Sequence, residues 1–116
     1  MTETINLILA LATIAMGCIG FISPRYAADA LDLTTTKSTM GLTELRAGSG
    51  ALFIGLGLGA ILIGSPIAYA TMGCAYAGAG VGRLTSILRD KPPMKKAGFF
   101  FAVEAIFGLW LIFANL

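Results

Sequence analysis

Four apolar stretches dominate the pattern of hydrophobic and polar positions along the chain. They cover residues 5–22, 47–64, 67–88 and 97–115, and most of the charged residues lie between them. Each stretch matches the roughly 17–25 residues that a helix needs to cross the hydrocarbon core of a bilayer. The pattern therefore predicts an all-α integral membrane protein, a four-helix bundle in which residues 1–116 form a single transmembrane domain.

Prolines and glycines separate the four stretches. Pro24 ends the first one, because the residue before a proline is pushed out of the helical region, and residues 25–33 after it predict a short interfacial helix. Gly-Ser-Pro at residues 64–66 predicts a tight hairpin between the second and third stretches. Lys-Pro-Pro at residues 91–93 ends the third. The connections are therefore short.

The first apolar stretch allows two interpretations. A secretory signal peptide normally begins with a basic segment, whereas Met1–Thr4 contains Glu3 and neither Lys nor Arg. We therefore expect a retained first span. Removal of this stretch would leave three spans and the same basic connections, so charge alone does not decide between the two interpretations.

The charged residues add an orientation to this picture. The chain is 57% hydrophobic and only 12% charged, which is more apolar than ordinary soluble proteins. All eight Lys and Arg residues fall in or beside the first and third connections: Arg25, Lys37, Arg46, Arg83, Arg89, Lys91, Lys95 and Lys96. The positive-inside rule then predicts a multi-pass membrane protein with both basic connections in the cytoplasm and both termini outside. The bases around the third connection are expected to meet anionic membrane lipid.

Glycine is frequent in the second and third stretches. Gly55 with Gly59, and Gly78 with Gly82, have the four-residue spacing of small residues that lets two membrane helices approach closely. One interpretation is helix packing inside the bundle. The other is that part of this surface receives the helix of another protein, or a flat hydrophobic ligand.

A few charged residues lie within or at the mouth of the apolar stretches. Glu104 lies about seven residues into the last stretch, roughly 10 Å from its start. An ionised carboxylate alone at that depth is costly, so we expect a polar cluster of Glu104 with Arg46 or Arg83, and with Glu44 at its rim. Such a cluster either fixes helix register or forms a small site that binds an anionic head group or passes a proton.

Other chemistry is not indicated by the sequence. The chain has no histidine, and no phosphate-binding loop, metal-ligand spacing or nucleophile elbow is visible. Cys18 and Cys74 are expected to stay unpaired, because helical rise separates them along the membrane normal. We therefore expect no catalytic residue, no cofactor, no metal and no nucleic-acid partner.

Several short motifs resemble a family of small bacterial membrane proteins catalogued as domain of unknown function 4345. They are GFISPRYAADALDL at the end of the first stretch, ELRA at residues 44–47, GxGRLTSIL at residues 80–88, and Glu104 early in the last stretch. The resemblance implies a four-helix bundle of the bacterial inner membrane, distantly similar to the DoxX group, and it singles out Glu44, Arg46, Arg83 and Glu104. It implies no reaction.

Two functional hypotheses follow from the sequence. The first is a non-enzymatic accessory or assembly subunit that packs against a larger membrane complex, respiratory or photosynthetic. Small size, short connections and glycine-lined helices favour it. The second is a small-molecule or lipid carrier that uses the buried Arg/Glu cluster.

Overall fold

The computed structural model describes residues 1–116 and is all-α, as predicted. It contains five helices and no strand. The helices are α1 (Thr2–Ile22), α2 (Pro24–Ala30), α3 (Met40–Ile63), α4 (Pro66–Asp90) and α5 (Met94–Asn115). Within α3, a π-helical turn over Ala47–Ala51 separates the α-helical segments Met40–Arg46 and Leu52–Ile63. The second predicted span, residues 47–64, is therefore only the later part of a longer helix.

Three of the long helices, α1, α3 and α5, are long and apolar enough to cross a membrane. The first and last predicted spans agree with α1 and α5 to within three residues at each end. Helix α4 has 25 residues and is long enough, but it is not among the three. Arg83 and the many glycines of α4 lower its hydropathy. The membrane class is thus supported by three helices, and a fourth crossing at residues 67–88 stays a prediction.

The predicted helix boundaries have local causes in the structure. Gly64, with φ of 69°, and Ser65 alone separate α3 from α4. Ser65 caps α4, since the Ala68 backbone N–H donates to its Oγ at 3.2 Å. At the other end of α4, Lys91 adopts a left-handed conformation with φ of 50°. The chain then continues as two prolines, which do not extend a helix.

The chain divides into two compact units, which are described separately. The hairpin unit comprises Met1–Asn6 and Gly64–Leu116, and thus holds α4, α5 and the start of α1. Its core lies between α4 and α5, where Met72 and Leu111 are fully buried. A Cβ atom built on Gly73 would lie 2.8 Å from Leu111 Cβ, and one on Gly108 would lie 2.8 Å from the Ala77 nitrogen. These two glycines let the two backbones approach closely.

The π-turn unit, Leu7–Ile63, packs the rest of α1 against α3. Close contacts again occur at glycines: a Cβ atom on Gly57 would lie 2.7 Å from the Ala10 carbonyl oxygen, and one on Gly50 would lie 2.6 Å from the Phe21 nitrogen. A Cβ atom on Gly20 would collide with the Ser49 carbonyl oxygen. The π-helical turn therefore lies directly against the last turns of α1.

The predicted helix-packing glycines are not the ones that make these contacts. A Cβ atom on Gly55, Gly59, Gly78 or Gly82 would meet nothing within 4 Å. These four glycines make no such close contact within their own units, and a packing role for them stays a prediction. Four-residue spacing places two glycines on one face of a helix, but it does not say which face turns inward. In α3 the inward face carries Gly57, about 200° around the helix from Gly55.

Candidate functional site

Arg83 of α4 and Glu104 of α5 form a two-pronged ion pair in the hairpin unit. Arg83 Nε donates to Glu104 Oε1 at 3.0 Å, and Arg83 Nη2 donates to Glu104 Oε2 at 2.9 Å. The Glu104 side chain is only 12% exposed and that of Arg83 is 33% exposed. Parallel N–H···O bonds from one guanidinium to one carboxylate are among the stronger and more directional polar contacts in proteins.

An aromatic ring completes this pair. The guanidinium carbon of Arg83 lies 5.2 Å from the ring centre of Phe100, one helical turn before Glu104 on α5. A cation over an aromatic face is attracted by the ring quadrupole, and more so where water is scarce. The carboxylate and the ring thus hold the same cation from α5, which fixes the position of Arg83 and the register of α4 against α5.

Arg46 has a different partner. In the π-turn unit, its Nη1 donates to the backbone carbonyl of Phe21 at 2.6 Å. Phe21 lies in the last turn of α1, where carbonyls have no partner in the helix and a positive charge is favourable. Arg46 therefore ties the beginning of α3 to the end of α1. Of the predicted cluster, the structure joins Arg83 to Glu104 and gives Arg46 a backbone partner.

Glu44 lies on a groove in the π-turn unit. The groove has a volume of about 360 Å³ and is formed by α2, the segment after it and the first turns of α3. Its polar side chains are Glu44, Ser49, Thr34 and Thr35, and its apolar ones include Leu33 and Leu45. Glu44 is exposed and makes no ion pair.

The π-helical turn helps to build this groove. Gly48 and Ser49 of the turn line it, while the Ser49 carbonyl lies against Gly20 of α1. The sequence Ala-Gly-Ser-Gly-Ala has only small side chains, which permits both the extra residue in the turn and the close approach of α1. Turns of this kind inside α-helices are frequent at functional sites.

A pair of amides that was not predicted from the sequence joins the start of α1 to the end of α5 in the hairpin unit. Asn6 Nδ2 donates to Asn115 Oδ1 at 2.7 Å, and Asn115 Nδ2 donates back to Asn6 Oδ1 at 2.9 Å. Asn6 is 3% exposed. The sequence did offer a signal for this pair: an amide near the beginning of the first apolar stretch and another at the end of the last one. A buried amide needs a hydrogen-bond partner. Polar residues of the groove, Ser49 and Thr34 among them, carried no comparable signal.

Taken together, the long apolar helices and the few satisfied polar pairs between them define a small all-α membrane protein. The chain belongs to the family described as Domain of unknown function (DUF4345), whose model matches residues 1–115 and thus nearly the whole chain. No curated protein and no solved structure matches the chain. The resemblance to the DoxX group therefore stays an expectation from the sequence.

Proposed function

We propose that the protein is a non-enzymatic subunit of the bacterial inner membrane that packs against a larger membrane complex, respiratory or photosynthetic, as an accessory or assembly factor. The observation that carries this proposal is the open glycine faces of α3 and α4. Gly55 and Gly59 on α3, and Gly78 and Gly82 on α4, have no neighbour within 4 Å of an added Cβ atom. Small residues in membrane helices favour close approach of another helix.

The open face of α4 gives further support. Thr71, Cys74, Gly78, Gly82 and Thr85 follow one another at three- and four-residue intervals and therefore share one side of the helix. All five are exposed. A lipid-facing surface is usually built from large aliphatic and aromatic side chains. This face carries five small or partly polar residues, with the exposed Ile67 and Val81 beside them, and small residues favour a helix–helix interface in a membrane.

The alternative of a carrier that uses the Arg/Glu cluster receives less support. Both carboxylate oxygens of Glu104 already accept hydrogen bonds from Arg83. Arg83 therefore balances the charge of the Glu104 carboxylate, and the position of the pair between α4 and α5 suits a structural role. A carrier would need this pair to open in each cycle, at the expense of two charge-assisted hydrogen bonds.

Extraction from native membranes in mild detergent tests the proposal. A tagged chain at its native level is expected to migrate with a larger complex on a native gel, and mass spectrometry identifies the partner. Gly55→Leu and Gly78→Leu should lower co-purification about tenfold, since a leucine side chain keeps a partner helix at a distance. Ala102→Leu, on the exposed side of α5, adds bulk outside the two glycine faces and serves as the control.

Cys74 supplies a second measurement on the same face. It is exposed and free, one turn before Gly78. In a Cys18→Ser background, a membrane-permeant maleimide should label Cys74 slowly in native membranes and quickly after purification of the single chain. Equal labelling rates, together with migration as a free monomer, would contradict the proposed partner.

A further inference from the structure

The groove beside Glu44 has a chemical character of its own. Glu44 is the one charged side chain that lines it, and no lysine or arginine does. The carboxylate of Glu44 and the hydroxyls of Ser49, Thr34 and Thr35 make no hydrogen bond within the chain, so their oxygens are open to a ligand. The lining of the groove therefore combines one negative charge with three hydroxyl oxygens.

The adjacent helix terminus does not turn the groove into an anion site. The Met40 N–H donates to Ser38 Oγ at 3.2 Å, and the Leu42 and Thr43 N–H groups donate to the Thr39 carbonyl at 3.0 and 3.2 Å. Of the first four N–H groups of α3, these three are thus already used, and only that of Gly41 remains. A phosphate or carboxylate placed here would face the Glu44 carboxylate, whereas a cation would be attracted by it.

The remaining walls favour an amphiphile. Ala28 and Leu45 are buried beside the groove, and Leu33 is half exposed at its edge. The groove lies next to α2, which carries an exposed Tyr26 and directly follows the apolar helix α1. Short helices of this kind lie at the level of lipid headgroups, where aromatic side chains are enriched. A ligand with a charged head and an apolar body meets matching surfaces here.

We propose that this groove binds a primary ammonium group, presented by the headgroup of an ethanolamine phospholipid. A primary ammonium has three N–H donors, which match the Glu44 carboxylate and the hydroxyls of Ser49, Thr34 and Thr35. A trimethylated ammonium has the same charge and no N–H donor. The volume of about 360 Å³ admits the ethanolamine end of the headgroup, while the phosphate stays at the mouth of the groove, away from the Glu44 carboxylate.

The test compares lipids that differ only in this group. The full-length protein is placed in nanodiscs that contain equal amounts of phosphatidylethanolamine and phosphatidylcholine with identical acyl chains, then released and analysed by native mass spectrometry. We expect about tenfold more retained phosphatidylethanolamine than phosphatidylcholine, as one charge-assisted hydrogen-bond network predicts. Glu44→Gln should reduce the preference to less than twofold. Glu3→Gln, which removes the same charge in the hairpin unit, should preserve it.

Two further measurements complete the test: a folding check with a milder variant, and a titration with free ethanolamine. Circular dichroism and the thermal midpoint verify that Glu44→Gln is folded, and Ser49→Ala provides a milder variant that should lower the preference about threefold. Free ethanolamine, titrated into the detergent-solubilised protein, distinguishes a soluble amine from a lipid. Glu44-dependent binding of ethanolamine without lipid preference would assign the groove to soluble amines. Equal retention of both lipids with no ethanolamine binding would overturn the proposal.

Discussion

At the scale of single residues, the Arg83–Glu104 pair is expected to contribute measurably to stability. Arg83→Leu should lower the free energy of unfolding in detergent by about 2 kcal/mol, because it leaves the largely buried Glu104 carboxylate unpaired. Glu104→Leu should lower it less, because the Arg83 side chain that it leaves is one-third exposed. The double variant should lose less than the sum of the two, since no unpaired charge remains. Chemical unfolding monitored by circular dichroism measures all three.

A matched control separates the effect of breaking the ion pair from the effect of removing one positive charge. Arg89 is exposed on the same helix and makes no ion pair. Arg89→Leu combined with Glu104→Leu should be additive within about 0.5 kcal/mol. A coupling energy near zero for Arg83 with Glu104 would show that the pair does not fasten α4 to α5.

The amide pair of Asn6 and Asn115 gives a second residue-scale prediction. Asn6→Leu should lower stability by about 1–2 kcal/mol, because it removes both bonds that join the two side chains. Asn115→Leu also removes the bond from Asn115 Nδ2 to the Leu111 carbonyl, and should have at least as large an effect. Thermal unfolding in the same detergent compares the two, with Asn6→Gln as the conservative control. Wild-type stability of Asn6→Leu would contradict a stabilising role.

At the scale of helices, glycines of α1 and α3 are expected to differ sharply according to the face on which they lie. Gly20→Ala should destabilise the protein by about 1–3 kcal/mol, because the new methyl group collides with the Ser49 carbonyl in the π-helical turn. Gly55→Ala, with nothing within 4 Å, should be neutral or stabilising by up to about 1 kcal/mol through helix propensity. Unfolding midpoints of the two purified variants test this. Equal midpoints would mean that the close approach of α1 to the π-helical turn is absent in the membrane protein.

The helices also show what the sequence was able to predict. Length and apolar composition identified α1, α3 and α5, and the Gly-Ser-Pro and Lys-Pro-Pro segments marked the end of α3 and the beginning of α5, because both signals are local. The beginning of α3 at Met40 was not predicted. The inward faces of α3 and α4 were not predictable in this way. A helix that is apolar all round has no polar side to mark its exposed face, so glycine spacing alone left the choice of face open.

The candidate site could be predicted only in part: the Arg83–Glu104 pair was among the expected contacts, whereas the partner of Arg46 was not. Helical rise, counted from the predicted cytoplasmic end of each helix, placed Glu104 and Arg83 at a similar depth in the membrane, and the structure joins them. The same count placed Arg46 there as well, but the carbonyl of Phe21 is its partner. Backbone acceptors at helix ends carry no sequence signature. The π-helical turn was also hidden, since Ala-Gly-Ser-Gly-Ala is compatible with an ordinary helix.

At the scale of the whole molecule, the path of α4 is the feature that determines the topology. The hydropathy of α4 is lower than that of the other long helices, which argues against a membrane crossing. The charge distribution argues for one, because Lys and Arg cluster at the end of α4 and the start of α5, and none lies around Gly64 or at the C-terminus. If α4 crosses the membrane, Ile67 and Lys91 at its two ends lie on opposite sides. If α4 lies along the surface, both are on the same side.

Cysteine labelling decides between these two topologies. In a background with Cys18→Ser and Cys74→Ser, we expect Lys37→Cys and Lys91→Cys to react with a membrane-impermeant maleimide only from the cytoplasmic face, as the positive-inside rule requires. Ile67→Cys and Leu116→Cys, both highly exposed positions, should react only from the other face. Labelling of Ile67→Cys and Lys91→Cys from one face would reduce the count to three crossings. It would also place the small-residue face of α4 at the membrane surface, where a helix of another membrane protein no longer packs against it.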